Sequence, residues 1–325
     1  MRAPTMIFAA LFAMGVLSLS PAARAADDYP SRTITIVNLY AAGGGIDLVV
    51  RAIGQKLSEM WKVPVVVENK PGAGGTIAAS YVAHRPADGY TFFASDVSFS
   101  IVPSMYSNLN YDPLKDLQPV ILLNTVTQAF TINPQIGVVS LKELIDLAKK
   151  EPGKLTYASA GIGSLPHLGA EMFKTATGTD IRQVPYHGSV PAFTDLVAGR
   201  VDMYVGALAT PLPYIQDGKL KALAVMQAKR SALVPDVPSI AELGYPELDF
   251  AAYYGLFAPA GTPQPIIDKF VAAAQQVLKS PDIKKVMDQL GNEIVGAGPD
   301  EFKVFLTKSI DTWHRGFEST GLKPM

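Results

Sequence analysis

Apolar positions along the chain follow two periods in alternation, and their order is the first clue to its architecture. The run Arg32 to Val37 (RTITIV) has the β-branched content of a strand. Beyond the glycines that follow it, Ile46, Val49, Val50, Ile53 and Leu57 recur at helical spacing. Val63 to Val67 reads as a second strand with Pro64 at its start, and Thr76 to Ala83 as a second helix. The later chain repeats the scheme. Ser140-Leu141-Lys142-Glu143 is a capping box that opens a helix through Leu144, Leu147 and Ala148, stopped by Pro152-Gly153. Leu155 to Ser159 is a short strand, and a helix from about Pro166 is expected to bury Leu168, Met172 and Ala176. Val201 to Val205 is another strand, preceded by a helix end at Asp195 to Gly199, and Pro265 to Lys279 and Pro299 to Gly316 are amphipathic helices. Strand and helix in alternation with short turns predict an α/β fold with parallel sheets and right-handed crossovers.

Three glycine turns, Ala42 to Gly45, Gly72 to Gly75 and Gly161 to Ser164, each join a predicted strand to a predicted helix. A helix N-terminus presents unpaired N–H groups and a partial positive charge, and glycine lets a ligand reach them. In open parallel sheets such turns lie where ligands bind. The pattern therefore points to a small anion held by backbone donors, although any one such turn is also explained by chain reversal alone. A phosphate loop needs Lys-Ser/Thr after its glycines and a dinucleotide site needs Gly-x-Gly-x-x-Gly; Gly43-Gly44-Gly45-Ile46-Asp47 is neither. Asp47 disfavours a polyphosphate and is expected to accept backbone N–H bonds in the turn. A carboxylate fits better.

At 325 residues, with 48% hydrophobic and 18% charged residues, the chain is long enough for two domains. Its first residues read separately. Arg2, an apolar core from Met6 to Leu19, Pro21 and then Ala23-Arg24-Ala25 have the form of a signal peptide, residues 1–25, cleaved after Ala25. The competing reading, a membrane anchor, needs about 20 apolar residues. Without Arg2 and Arg24 the 28 basic residues become 26 against 29 acidic ones, so the mature chain leaves no basic footprint for nucleic acid. It has no cysteine, hence neither disulfides nor thiol chemistry. Catalysis finds little support. His84, His167, His187 and His314 are scattered without metal-ligand spacing, and Ser164 lacks a nucleophile elbow. No cofactor is expected.

At these residues the chain resembles the periplasmic solute-binding proteins of tripartite tricarboxylate transport systems, the Bug receptors. The signatures stand in order: ITIVNLYAAGGGID (34–47), VVVENKPGAGG (65–75), ADGYT (87–91), YASAGIGSLPH (157–167) and VPYHG (184–188), then AGRVD (198–202), PDVP (235–238) and APAGTP (258–263). The resemblance covers essentially the whole mature chain. It implies a two-lobed type II periplasmic binding-protein clamshell with a ligand cleft between the lobes. Lobe 1 would comprise residues 26–124 and 240–325, and lobe 2 residues 125–239. It also implies a periplasmic monomer that captures an organic carboxylate and delivers it to the inner-membrane permease subunits. In the family the first glycine turn holds a ligand carboxylate through backbone and water, which transfers to Ala42, Gly43 and Gly44, and in the second turn to Ala73 and Gly74. From lobe 2 the family pattern points to Ser159, Gly163, Ser164 and His167, with Tyr186 and His187 nearby.

The departures from the pattern bear on the ligand. Asn38-Leu39-Tyr40 replaces the usual Val-Pro-Phe, which frees a backbone donor at Leu39 and adds polar groups beside the cleft. Gly206 stands where relatives often carry an acid able to pair with a ligand ammonium. Its absence argues against an amino acid and leaves room for a bulkier body, with Tyr40, Phe99, Tyr186 and Tyr204 as candidates to flank a ring. The expected ligand is a di- or monocarboxylate without an amino group, aromatic acids such as terephthalate included. A carboxylate-sensing co-receptor for a sensor kinase is the alternative role, and an exported α/β enzyme a more distant one.

Overall fold

The computed structural model describes residues 28–161, 164–186, 189–250 and 252–324. The expected signal peptide lies outside them, as do Gly163 and His187. The first elements are β1 (Ile34–Asn38), α1 (Gly45–Trp61), β2 (Val65–Asn69), α2 (Thr76–Ala83), β3 (Thr91–Asp96), α3 (Ser98–Met105) and β4 (Leu117–Val126). There follow β5 (Gln128–Ile132), α4 (Leu141–Lys150), β6 (Thr156–Ser159), α5 (Leu165–Thr177), β7 (Arg182–Pro185), α6 (Ser189–Val197), β8 (Met203–Ala207), α7 (Leu212–Gln216) and β9 (Lys221–Val225). The chain closes with β10 (Ala252–Pro259), α8 (Gln264–Leu278), α9 (Pro281–Gln289), β11 (Asn292–Ala297) and α10 (Pro299–Ser319).

Local chemistry accounts for the element ends. Ser140 accepts the Glu143 N–H at 3.2 Å, while the Glu143 carboxylate takes the N–H of Val139 at 2.8 Å, so the capping box closes one residue early. Helix α5 buries Leu168, Met172, Phe173 and Thr177. Ala176, expected inside, is exposed, because the 3.6-residue stripe runs through Met172, Phe173 and Thr177 instead.

Two sheets form, in the orders β11-β4-β10-β3-β1-β2 and β7-β6-β8-β5-β9. The β1, β2 and β3 pairs are parallel, as are β6, β7 and β8, but β10 runs antiparallel to β3 and β4, and β5 antiparallel to β8 and β9. The sheets are therefore mixed, not purely parallel, and connectivity explains it. The chain passes from one sheet to the other at Thr127, between β4 and β5, and returns after β9 into β10. A strand that enters a sheet from the facing sheet starts at the edge where the parallel strands end, so it must run against them.

One apolar core continues through both halves, from Ile36 and Phe93 in the first to Phe130 and Tyr157 in the second. Helix α10 is its seam. Trp313 stacks on Phe250 with ring centroids 5.5 Å apart, and Gly316 lies so close to Met172 of α5 that a Cβ would stand 2.2 Å from its sulfur. Among the described residues no helix is long and apolar enough to cross a membrane.

Candidate functional site

A cleft of about 550 Å³ separates the two sheets at the carboxyl ends of their parallel strands. Tyr40 follows β1, Gly74 follows β2 and Asp96 ends β3; opposite them Ala160 follows β6 and Gly206 lies in β8. Val126 and Gln128, on either side of the crossover, also line it.

The first glycine turn is built around Asp47, whose carboxylate is buried. It accepts the Gly43 N–H at 2.9 Å, the Asn38 amide at 3.2 Å, the Asn69 amide at 2.8 Å and Arg51 Nε at 2.9 Å. Burial alone would raise this carboxyl, but Arg51 and the amide donors outweigh it and hold the group well below the usual range. Gly43 stands at φ +92°, where a side chain is strained, and Gly45 is the point of close approach: a Cβ there would lie 2.7 Å from the Tyr254 hydroxyl. The N-cap of α1 is Gly44, so no side chain caps its first-turn N–H groups.

In the second turn Gly72, Ala73, Gly74 and Gly75 all take positive φ, and a Cβ on Gly75 would meet Leu39 at 2.7 Å. In the third, Ser164 is the N-cap of α5 and yet makes no capping bond; its hydroxyl donates to the Gly161 carbonyl at 2.7 Å. Ser140 and Ser280, remote from the cleft, do cap their helices. The contrast leaves the α5 N-terminus, on the cleft wall at Ser164 and Leu165, open to an outside acceptor.

Of the residues singled out in the sequence, Tyr40, Gly74, Ser164 and Gly206 line the cleft. Asn38 does not: it is fully buried, with its amide engaged by Asp47. Ser159 is equally buried and accepts Gln183 Nε2 at 2.8 Å, and Tyr186 spends its hydroxyl on Asp195 at 2.8 Å. His167 is buried in the first turn of α5, and burial lowers its pKa, which favours the neutral ring. Ala42, Gly43, Gly44 and Ala73 are exposed in their turns, off the cleft wall. Phe99 packs on Phe257 in the core, centroids 4.3 Å apart. The room expected beside Gly206 is filled by the ring of Tyr204, whose Cε1 lies 2.2 Å from where a Cβ would be.

The wall also holds Asp96, Ser98, Tyr106, Ser189, Phe193, Thr210 and Tyr254, none of them read as site residues from the sequence. Asp96 and Tyr254 are register partners across antiparallel β3 and β10. The Asp-Val-Ser step of 96–98, between a strand and a helix, was the available signal, since it is a helix-start pattern. The absence of an acid at position 206 therefore does not leave the cleft without one. No Lys, Arg or His is among its described lining residues.

The model of the tripartite tricarboxylate transporter family receptor matches residues 49–322. The chain belongs to that family. The receptor is 35% identical to protein BugT of Bordetella pertussis over 300 residues, 92% of each chain. It superposes on R. palustris Rpa4515 with adipate at a TM-score of 0.81, with 34% identity, covering 92% of this chain and 100% of that one. MatC of Rhodopseudomonas palustris with bound malate gives 0.77 at 31% identity, covering 89% and 100%. The receptor is a two-lobed α/β binding protein and not an enzyme, in accord with the periplasmic binding proteins it matches.

Proposed function

We propose that the receptor captures an organic carboxylate in the periplasm and delivers it to the membrane permease of a tripartite transporter. The observation that carries this reading is a cleft reached by helix N-termini with no cationic side chain among its described walls. Donors for an anion on the described walls are the backbone N–H groups at the start of α5. Adipate and malate on relatives at 34% and 31% identity support a carboxylate as ligand. Tyr40, Tyr106, Phe193, Tyr204 and Tyr254 on the walls favour a flat or apolar body between the polar ends.

The test is melting of protein stripped by unfolding and refolding, against benzoate, terephthalate, adipate, malate and glutamate. An acid at 100 times its dissociation constant stabilises by about 2.7 kcal/mol, roughly 5 °C for a chain of this size. A shift with an acid of either kind supports the reading, a larger one with the aromatic acids supports the aromatic wall, and no shift with any acid overturns both.

The first turn has its own test. Gly44 has φ −76° and nothing near its missing Cβ, so Gly44→Val is expected to fold normally and to place a side chain over the α1 amides. Loss of one charge-assisted hydrogen bond, about 1.5–3 kcal/mol, lowers affinity by at least about tenfold. Titration calorimetry beside a melting curve checks this, and unchanged affinity would move the carboxylate away from α1. Gly43→Val is the poorer choice, because it strains a residue at φ +92°.

A further inference from the structure

We infer that Asp96, with Tyr40 and Ser98, sets the specificity of the cleft: this corner admits acids whose far end carries a hydrogen-bond donor, a hydroxyl or an ammonium, and rejects a second carboxylate. The inference rests on the carboxylate reading above and refines it. The Ser98 N–H donates to Asp96 Oδ1 at 2.9 Å, and the Tyr40 hydroxyl donates to Oδ2 at 3.1 Å. Tyr40 and Ser98 Oγ are 2.9 Å apart. A phenol has one proton. With that proton on Asp96, the Ser98 hydroxyl must donate to the Tyr40 oxygen. The three residues thus spend their donors on one another and turn lone pairs toward the ligand.

The first-turn amide of α3 at Ser98 is consumed in the same way, so this helix start, unlike that of α5, has that donor already engaged. Tyr254, across the strand pair from Asp96, is a neutral phenol: burial first, and then the Asp96 charge, push its titration far up. No cation contributes at Asp96; burial raises its carboxyl, while the hydrogen bonds from Ser98 and Tyr40 oppose that rise by favouring the charged form. A half-buried carboxylate without a counter-charge favours a donor beside it and disfavours a second anion. The cleft then has two unlike sides, open amides at the start of α5 and an acceptor at Asp96.

The experiment is titration calorimetry of the mature receptor and its Asp96→Asn variant with matched acids. 4-Hydroxybenzoate is set against terephthalate, and 6-hydroxyhexanoate and 6-aminohexanoate against adipate. For whichever body the cleft accepts, the unaltered receptor is expected to bind a donor-ended acid at least about tenfold tighter than the diacid. Asp96→Asn is expected to shrink or invert that ratio, chiefly by tightening the diacid. The hydroxy and amino compounds separate a neutral from a charged donor, and preference for either over adipate supports the assignment. Tyr40→Phe gives a second variant that leaves the carboxylate in place: it removes one donor and frees the Ser98 hydroxyl to replace it on Asp96, so the preference for donor-ended acids is expected to persist. Equal ratios in all three proteins, or a diacid preferred by the unaltered receptor, would overturn the role of Asp96 while leaving a carboxylate receptor standing. Binding of none of the five acids to any protein would overturn the carboxylate reading and this assignment together.

Discussion

Asp47→Ala is expected to destabilise the receptor by about 3 kcal/mol and to abolish ligand binding, the largest combined effect of any single change in the site. The carboxylate gathers four donors from β1, β2, α1 and the first glycine turn, and its removal leaves the fully buried Asn38 amide and the Gly43 N–H without their acceptor. Arg51 contributes less than the distance suggests, since its side chain is 43% exposed and its attraction is screened. The effect also has a pH signature. The folded pKa of Asp47 is depressed below its unfolded value. Its contribution is therefore fully present above about pH 4 and is lost as pH falls toward the folded value. Urea unfolding of both proteins between pH 7 and pH 3 checks this. The gap between them should be widest at neutral pH and should narrow on acidification; a constant gap would mean that Asp47 acts by packing alone.

Gly206→Val is expected to cost about ten- to hundredfold in affinity and, through overpacking, about 1–3 kcal/mol of stability. The valine needs the space held by the Tyr204 ring, which lies between Gly206 and Phe193 and donates its hydroxyl to Ser189 at 3.1 Å. Displaced from there, the ring moves into the cleft that both residues line. Adding Tyr204→Ala to Gly206→Val should recover part of the affinity, as calorimetry of the pair would show. A double variant as weak as Gly206→Val would mean that the valine itself blocks the ligand.

Much of the scaffold was legible because local rules act alone there. Helix α2 has the expected ends, Thr76 and Ala83, because glycines stop the chain on one side and its apolar stripe faces one sheet. Strand β10 was not legible. Its run AYYGLFAP is buried on both faces between β3 and β4, so it shows no alternation, and nothing local reveals that it runs antiparallel. Helix α3, eight residues with Pro103 inside, has too little periodicity to stand out. The same division runs through the site. Glycine turns declare themselves, since a positive φ favours glycine wherever it occurs. Asp96 and Tyr254 meet only through strand pairing between distant parts of the chain. Asn38 and Ser159 stand in the right motifs with their side chains turned to the scaffold, and a motif does not reveal which way a side chain faces.

The seam along α10 has a consequence for how the molecule comes apart. Strand crossings join the halves near the cleft, but Trp313, Gly316 and Met172 join them within the core. Neither half can melt without exposing the apolar surface that the other covers, so their unfolding is cooperative and a calorimeter should record a single transition. A small molecule that touches only the walls of the cleft then protects residues far from it, down to the last turn of the C-terminal helix.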